Sequence, residues 1–251
     1  MKQRTVVKLR SMLKVFHSYD VRRERSDVCA SSLPGMLVYL IPGLGADRRL
    51  FNNMELVGHQ VEYLDLPVMP EESTLTDYAK HLSNKVDKAL PHAVLGVSMG
   101  GMVAQELALL TDPTQTILIS SWKGPQEMPP VIRALRGTHP ERILTPVVLR
   151  RMLPLVRWQM GLSSDADIAL FDGFIADTTL DQLKVQIAAV LAWEGTTEPR
   201  KHVVHIHGDS DRLMPLEHIA NPVVVPDGGH FMVFNKGEAV SRLVLDALVG
   251  V

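Results

Sequence analysis

Three stretches of this chain carry residue types whose neighbours suggest chemistry. Ser98 lies within Gly96-Val97-Ser98-Met99-Gly100, Asp211 ends His207-Gly208-Asp209-Ser210-Asp211, and His230 follows Gly228-Gly229. A serine hydroxyl is a poor nucleophile at neutral pH, so it needs a base within hydrogen-bond reach and a carboxylate to hold that base in the right tautomer. A serine flanked by glycines suits attack when it stands at the tip of a tight strand-to-helix turn. The glycines let the two elements pack closely, and the hydroxyl is exposed beside a helix N-terminus whose free N–H groups favour developing negative charge. With 17 Gly in 251 residues, a G-x-S-x-G pattern arises by chance in about one such chain in fifteen. The elements around it and the partners downstream therefore have to carry the reading.

The elements that would position these residues follow from hydrophobic spacing. Met36 to Ile41 is an apolar run short enough for a strand buried on both faces, and it ends in Pro42-Gly43-Leu44-Gly45-Ala46-Asp47. Gln60 to Leu66 alternates as a second strand, and Thr74 to Leu90 has helical spacing through Leu75, Tyr78, Leu82, Val86 and Leu90. Ala93 to Val97 is the strand before Ser98, Met99 to Leu110 the helix after it, and Thr116 to Ser121 another buried strand. From Trp122 to about Glu194 the apolar residues recur at helical spacing with no strand. Strands resume at His202 to His207 and Val223 to Val225, and a helix closes the chain from Gly237 to Leu248. This strand-helix alternation predicts an α/β fold, a doubly wound and mostly parallel sheet with its functional loops at the carboxyl ends of the strands. Asp211 and His230 each follow directly on one of the last two strands. In a parallel sheet both then reach the edge where Ser98 projects, in the order serine, acid, histidine.

These motifs resemble those of the α/β-hydrolase superfamily, over roughly residue 36 to the C-terminus: the turn at Ser98, the His207-to-Asp211 segment with Pro215, and Gly228-Gly229-His230-Phe231. The resemblance implies that Asp211, not its neighbour Asp209, is the acid of a Ser98-His230-Asp211 triad. It implies an oxyanion hole formed by the backbone N–H groups of Met99 and Leu44, although Pro42-Gly43 stands where many members have His-Gly. It also implies a short member that lacks two leading strands, with residues 122–194 as an inserted helical cap. The expected activity is cofactor-independent hydrolysis of a small carboxylic ester through an acyl-enzyme. Thioester, amide and carbon–carbon bond hydrolysis stay open, as does a ligand-binding receptor or scaffold with little turnover. A serine at this turn argues against the dehalogenases and epoxide hydrolases of the fold, which use an aspartate there.

Composition narrows the partners. A net charge of -2, with 46% hydrophobic and 22% charged residues, describes an ordinary globular chain with no general pull toward nucleic acid or membrane surfaces. No apolar run is long enough to span a bilayer, so the expectation is a soluble, cytoplasmic protein acting on a small-molecule acyl substrate. Cys29 is the only cysteine and reads as a bystander, and residues 1–35, basic up to Asp20, read as a dispensable extension, a targeting segment or a start placed too early. His205 and His207 face the same way on a strand but lack a third ligand, so no metal is expected. His59, His81, His92, His139 and His218 read as solvated, and Asp47 as a helix cap. Trp122, Trp193, Phe231 and Met232 are candidates for a pocket wall or for plain core. Gly43-Leu44-Gly45 lacks the pattern and lysine of a phosphate loop.

Overall fold

The computed structural model describes residues 35–196 and 202–250; the N-terminal stretch up to residue 34, including Cys29, lies outside them. Among the described residues six strands form one sheet: β1 (Leu37–Ile41), β2 (Gln60–Tyr63), β3 (His92–Val97), β4 (Gln115–Ile119), β5 (Val203–Gly208) and β6 (Val223–Val225). Their order is β2-β1-β3-β4-β5-β6, and every pairing is parallel. The helices are α1 (Leu75–Ser83), α2 (Met99–Thr111), α3 (Pro130–Ala134), α4 (Pro146–Met160), α5 (Asp165–Asp177), α6 (Leu180–Ala192), α7 (Met232–Asn235) and α8 (Gly237–Val249). The four from α3 to α6 are inserted between β4 and β5.

The continuous apolar runs of the central strands split by alternation into two cores, because successive side chains point to opposite faces. Val38, Leu40, Leu95 and Ile117 pack with Val240 and Val244 of α8 on one face. Tyr39, Ile41 and Val94 pack with Tyr78 and Leu82 of α1 and with Met102 and Val103 of α2 on the other. Helix α2 is buried along most of its length, from Met99 to Leu107. The strand order reverses direction between β1 and β3, which is where ligands bind in open α/β sheets. The loops after these two strands carry Leu44 and Ser98.

Two stretches are shorter than their hydrophobic spacing suggests. The helix at Thr74 ends at Ser83, where Asn84 caps it and a chain turn replaces the last apolar positions. Strand β2 stops at Tyr63 because the run onward to Pro67 has no further partner along β1 beyond one bond, Leu64 N–H to Leu40 C=O at 2.9 Å. His92 is a correction: it is buried, its ring set edge-on to Tyr39 with centroids 5.7 Å apart, and its Nδ1 meets Leu90 C=O at 2.9 Å. Its place at the start of a central strand removes it from solvent.

Close packing explains the glycines around Ser98. A Cβ on Gly96 would collide with Gly100 C=O, and a Cβ on Gly100 with Pro42 C=O and Ile41 C=O. Backbone carbonyls cannot rotate away as a side chain can. Gly100→Ala is therefore expected to destabilise the protein by at least about 3 kcal/mol, lowering Tm by roughly 6–12 °C. Gly250→Ala, whose Cβ would meet only Asp246 C=O at an ordinary 3.6 Å, is expected to stay within about 0.5 kcal/mol. Thermal melts of the two variants compare them directly, and equal melting temperatures would refute the packing argument.

Candidate active site

Strand β3 delivers Ser98 to the carboxyl edge of the sheet in a conformation few side-chain-bearing residues adopt, with φ 55° and ψ −122°. Two bonds hold it there: its N–H donates to Ile119 C=O at 3.0 Å, and the Ser121 hydroxyl donates to Ser98 C=O at 2.7 Å. Met99 begins α2, so its N–H is one of the donors that a helix start leaves unpaired. The loop after β1 runs close by, since a Cβ on Gly43 would lie 3.2 Å from Ser98 Cβ. Among the described residues neither Leu44 N–H nor Met99 N–H has a protein acceptor, and both residues line the same cavity as Ser98.

Asp211 and His230 arrive from the loops after β5 and β6. Gly208 and Gly228 bring these loops together, because a Cβ on Gly208 would collide with Gly228 C=O, and Ser210 N–H donates to that same carbonyl at 2.9 Å. His230 Nε2 lies 3.0 Å from Ser98 Oγ, and His230 Nδ1 lies 2.8 Å from Asp211 Oδ2. The other carboxylate oxygen of Asp211 accepts from Leu213 N–H at 3.0 Å and Met214 N–H at 2.8 Å. Burial pushes the Asp211 carboxyl up, but the charge and hydrogen bond of His230, the Met214 amide and His207 outweigh it. The group sits below the ordinary carboxylate range and is ionised at neutral pH. Asp209, by contrast, is exposed, and among the described residues its carboxylate meets only the Ser210 hydroxyl, at 3.1 Å.

Behind Asp211 stands a group of buried polar side chains whose role spacing alone does not reveal. His207 Nε2 meets Met214 C=O at 2.7 Å, His207 Nδ1 meets His205 Nε2 at 3.2 Å, and His205 Nδ1 meets Lys123 Nζ at 3.3 Å. Burial, then the Lys123 charge and the repulsion that a protonated His207 would add, push His205 down to about 3; burial also lowers His207, against the pull of Met214 C=O and Asp211. Both rings are neutral at pH 7. No cluster of three metal-ligating side chains occurs among the described residues.

Helices α3 to α6 cover this edge and enclose a cavity of about 480 Å³ whose floor includes Ser98 and His230. Trp122 and Phe231 both line it. Trp122 is buried, and its indole N–H has no acceptor among the described residues. Trp193 does not line the cavity; its indole N–H donates to buried Glu106 on α2 at 2.7 Å. Met232 is core. Asp47 caps the short 3-10 helix Arg48–Phe51, accepting from Arg49 N–H at 2.9 Å.

The inserted segment is tied to the loops after β1 and β6. Gln186 of α6 accepts from Gly45 N–H at 2.8 Å and the Thr178 hydroxyl donates to Gly45 C=O at 3.0 Å. Met160, at the end of α4, accepts from Phe231 N–H at 3.1 Å. Gln186 and Met160 are the residues that sequence reasoning missed. Nothing in a helical repeat distinguishes a polar position that reaches a loop 141 residues away.

Comparison with known proteins agrees with the fold. A family model described as "Alpha/beta hydrolase family" matches residues 38–243. Among solved structures, a thermophilic esterase from Thermogutta terrifontis is similar with a TM-score of 0.69 at 20% identity, over 86% of this chain and 90% of that one. A lipase-esterase related protein from Clostridium acetobutylicum is similar with a TM-score of 0.65 at 15% identity, over 86% and 95%. YbtT, a type II thioesterase of the yersiniabactin biosynthetic pathway, is similar with a TM-score of 0.61 at 15% identity, over 84% and 92%. No curated protein matches the chain. At these identities the likeness is one of fold. Among the described residues no helix is long and apolar enough to cross a membrane.

Proposed function

The chain belongs to the alpha/beta hydrolase family, and on that premise we propose that it is a cofactor-independent serine hydrolase cleaving a carboxylic ester of a small molecule through an acyl-enzyme. The observation that carries this reading is the unbroken line from Ser98 Oγ through His230 to Asp211, with steps of 3.0 and 2.8 Å.

In this mechanism Ser98 Oγ attacks the ester carbonyl carbon while His230 Nε2 takes the hydroxyl proton. The carbonyl electron pair moves onto oxygen, which the N–H groups of Leu44 and Met99 stabilise. When the tetrahedral intermediate collapses, the bond to the alkoxy oxygen breaks and His230 returns the proton to the departing alcohol. Water then attacks the acyl-enzyme, again losing a proton to His230, and the carboxylic acid leaves as Ser98 recovers its hydrogen. Asp211 stays ionised throughout, holding Nδ1–H of His230 and stabilising the imidazolium. Residues 122–194 serve as the cap that closes the substrate site.

A fluorophosphonate probe tests the proposal, because it forms a covalent bond only with an activated serine. Labelling at Ser98 supports a hydrolase, whereas an unlabelled wild-type protein leaves a ligand-binding receptor as the better reading. Paired aryl esters and thioesters of the same acyl group then assign the bond, with faster ester turnover expected.

A further inference from the structure

We propose that the cavity over Ser98 takes a long, uncharged aliphatic acyl chain, a substrate class that rests on the serine-hydrolase reading. Its volume is about 480 Å³. An apolar protein cavity of about 150 Å³ holds one benzene, which is about 25 Å³ per carbon, so this one accommodates roughly twenty non-hydrogen atoms. Its wall is drawn from all four inserted helices, as Ile132, Leu149, Phe174 and Ile187 illustrate, and it includes no lysine, arginine or aspartate. Among the described residues the one acidic or basic wall residue besides His230 is Glu141, whose carboxylate is engaged by His139 Nδ1 at 3.1 Å. A charged chain entering this space would lose its hydration with nothing to replace it. In a two-step reaction the acyl half must be held while water attacks, whereas the alcohol half must escape. An enclosed apolar cavity therefore suits the acyl half.

The test is a series of 4-nitrophenyl esters from acetate to hexadecanoate on the full chain. With about 0.8 kcal/mol per buried methylene, kcat/KM is expected to climb about fourfold per carbon over at least four carbons and to peak at eight or more. A peak at acetate or butyrate overturns the proposal, as does an ω-carboxylate on a long chain that costs less than about a hundredfold. Calorimetry of fatty-acid methyl esters binding to Ser98→Ala reads the cavity independently of turnover. If the wild type cleaves no ester of any length but Ser98→Ala binds ever more tightly with chain length, the hydrolase reading fails and the chain preference stands. Turnover confined to short esters fails the chain preference alone, and the absence of both turnover and any binding trend overturns both.

Separately, we infer that His207 is a positioning residue for Asp211, held in one orientation by His205, Lys123 and Glu127. A carbonyl only accepts, so the nitrogen facing Met214 C=O, Nε2, carries the hydrogen of His207. In the neutral ring Nδ1 is then an acceptor, which makes His205 Nε2 the donor and His205 Nδ1 the acceptor of the Lys123 ammonium. Lys123 is in turn anchored by Ala220 C=O and by buried Glu127, Oε1 at 3.1 Å, whose other oxygen accepts from Lys123 N–H at 2.7 Å. Every step has one permitted direction, and the chain of donors ends on the residue whose own N–H donates to Asp211. His207 Nε2 also lies 3.6 Å from Asp211 Oδ2, the oxygen that His230 uses. The charged or titratable groups around His207 are Asp211, His230, His205, Lys123 and Glu127. A neutral His207 leaves the Asp211 charge to His230.

His207→Phe is expected to lower kcat about 10- to 100-fold with KM within about twofold, and His207→Gln, whose amide can still donate to Met214 C=O, to recover most of the loss. Equal impairment of the two variants, or a normal kcat in His207→Phe, overturns the inference. His205→Phe supplies a second test should the first variant misfold. Without its N–H, His207 Nδ1 is free to take a proton, and a cationic His207 beside Asp211 disfavours the imidazolium of His230. The acid limb of kcat/KM against pH is then expected to move to lower pH; an unmoved limb counts against the role.

Discussion

Ser98→Ala is expected to lower kcat by roughly 10⁵- to 10⁶-fold and to abolish fluorophosphonate labelling, with the melting temperature unchanged or raised. The size follows from what is lost. No other hydroxyl meets His230 Nε2 among the described residues, so without Ser98 Oγ there is no covalent intermediate, and only the N–H pair and the cavity remain to favour water attack. The direction of the stability change follows from the backbone. Ser98 is held at φ 55° by the Ile119 and Ser121 bonds. These involve its main chain, which alanine preserves. Single-turnover and labelling experiments on the purified variant check the first half and a thermal melt the second, and residual activity within a hundredfold of wild type would mean that Ser98 is not the nucleophile.

Asp211→Asn is expected to lower kcat by about 10⁴-fold with little effect on KM. The reason is directional. The amide nitrogen of asparagine in the Oδ2 position donates toward His230 Nδ1, so the ring adopts the tautomer with its hydrogen on Nε2, facing Ser98 Oγ at 3.0 Å. A ring in that tautomer cannot accept the serine proton. The amide oxygen can still accept from Leu213 and Met214 N–H, so the loop survives. Asp209→Asn is the matched control: its carboxylate is exposed and among the described residues bonds only to Ser210, and turnover within about twofold of wild type is expected. Near-normal turnover in Asp211→Asn combined with its loss in Asp209→Asn would reverse the assignment.

Much of this architecture was legible in the chain. The buried strands announce themselves as short apolar runs closed by Gly, Pro or Ser, and the reversal of strand order places the loops after β1 and β3 side by side. Elements whose signals depend on neighbours were less legible. Thr74 to Leu90 keeps an apolar stripe beyond Ser83, yet α1 stops there because Val86 turns into the core below Tyr39, whose hydroxyl accepts from Asp87 N–H at 2.8 Å. His92 looked polar and is buried, since a histidine with one ring nitrogen satisfied by a local carbonyl can pack its ring like an aromatic.

By itself the sequence determined the α/β class, the serine-acid-histidine order and the turn at Ser98, because these rest on local rules: the period of the apolar residues, the steric demands of glycine and the position of loops after strands. Only the tertiary structure decided which polar groups share a proton, which helices close over Ser98 and how large the space beneath them is. Those are contacts between segments far apart in the chain, such as Ser98 with His230, Gly45 with Gln186 and Lys123 with His205. Their geometry depends on packing to fractions of an ångström, and no periodicity along the chain encodes it.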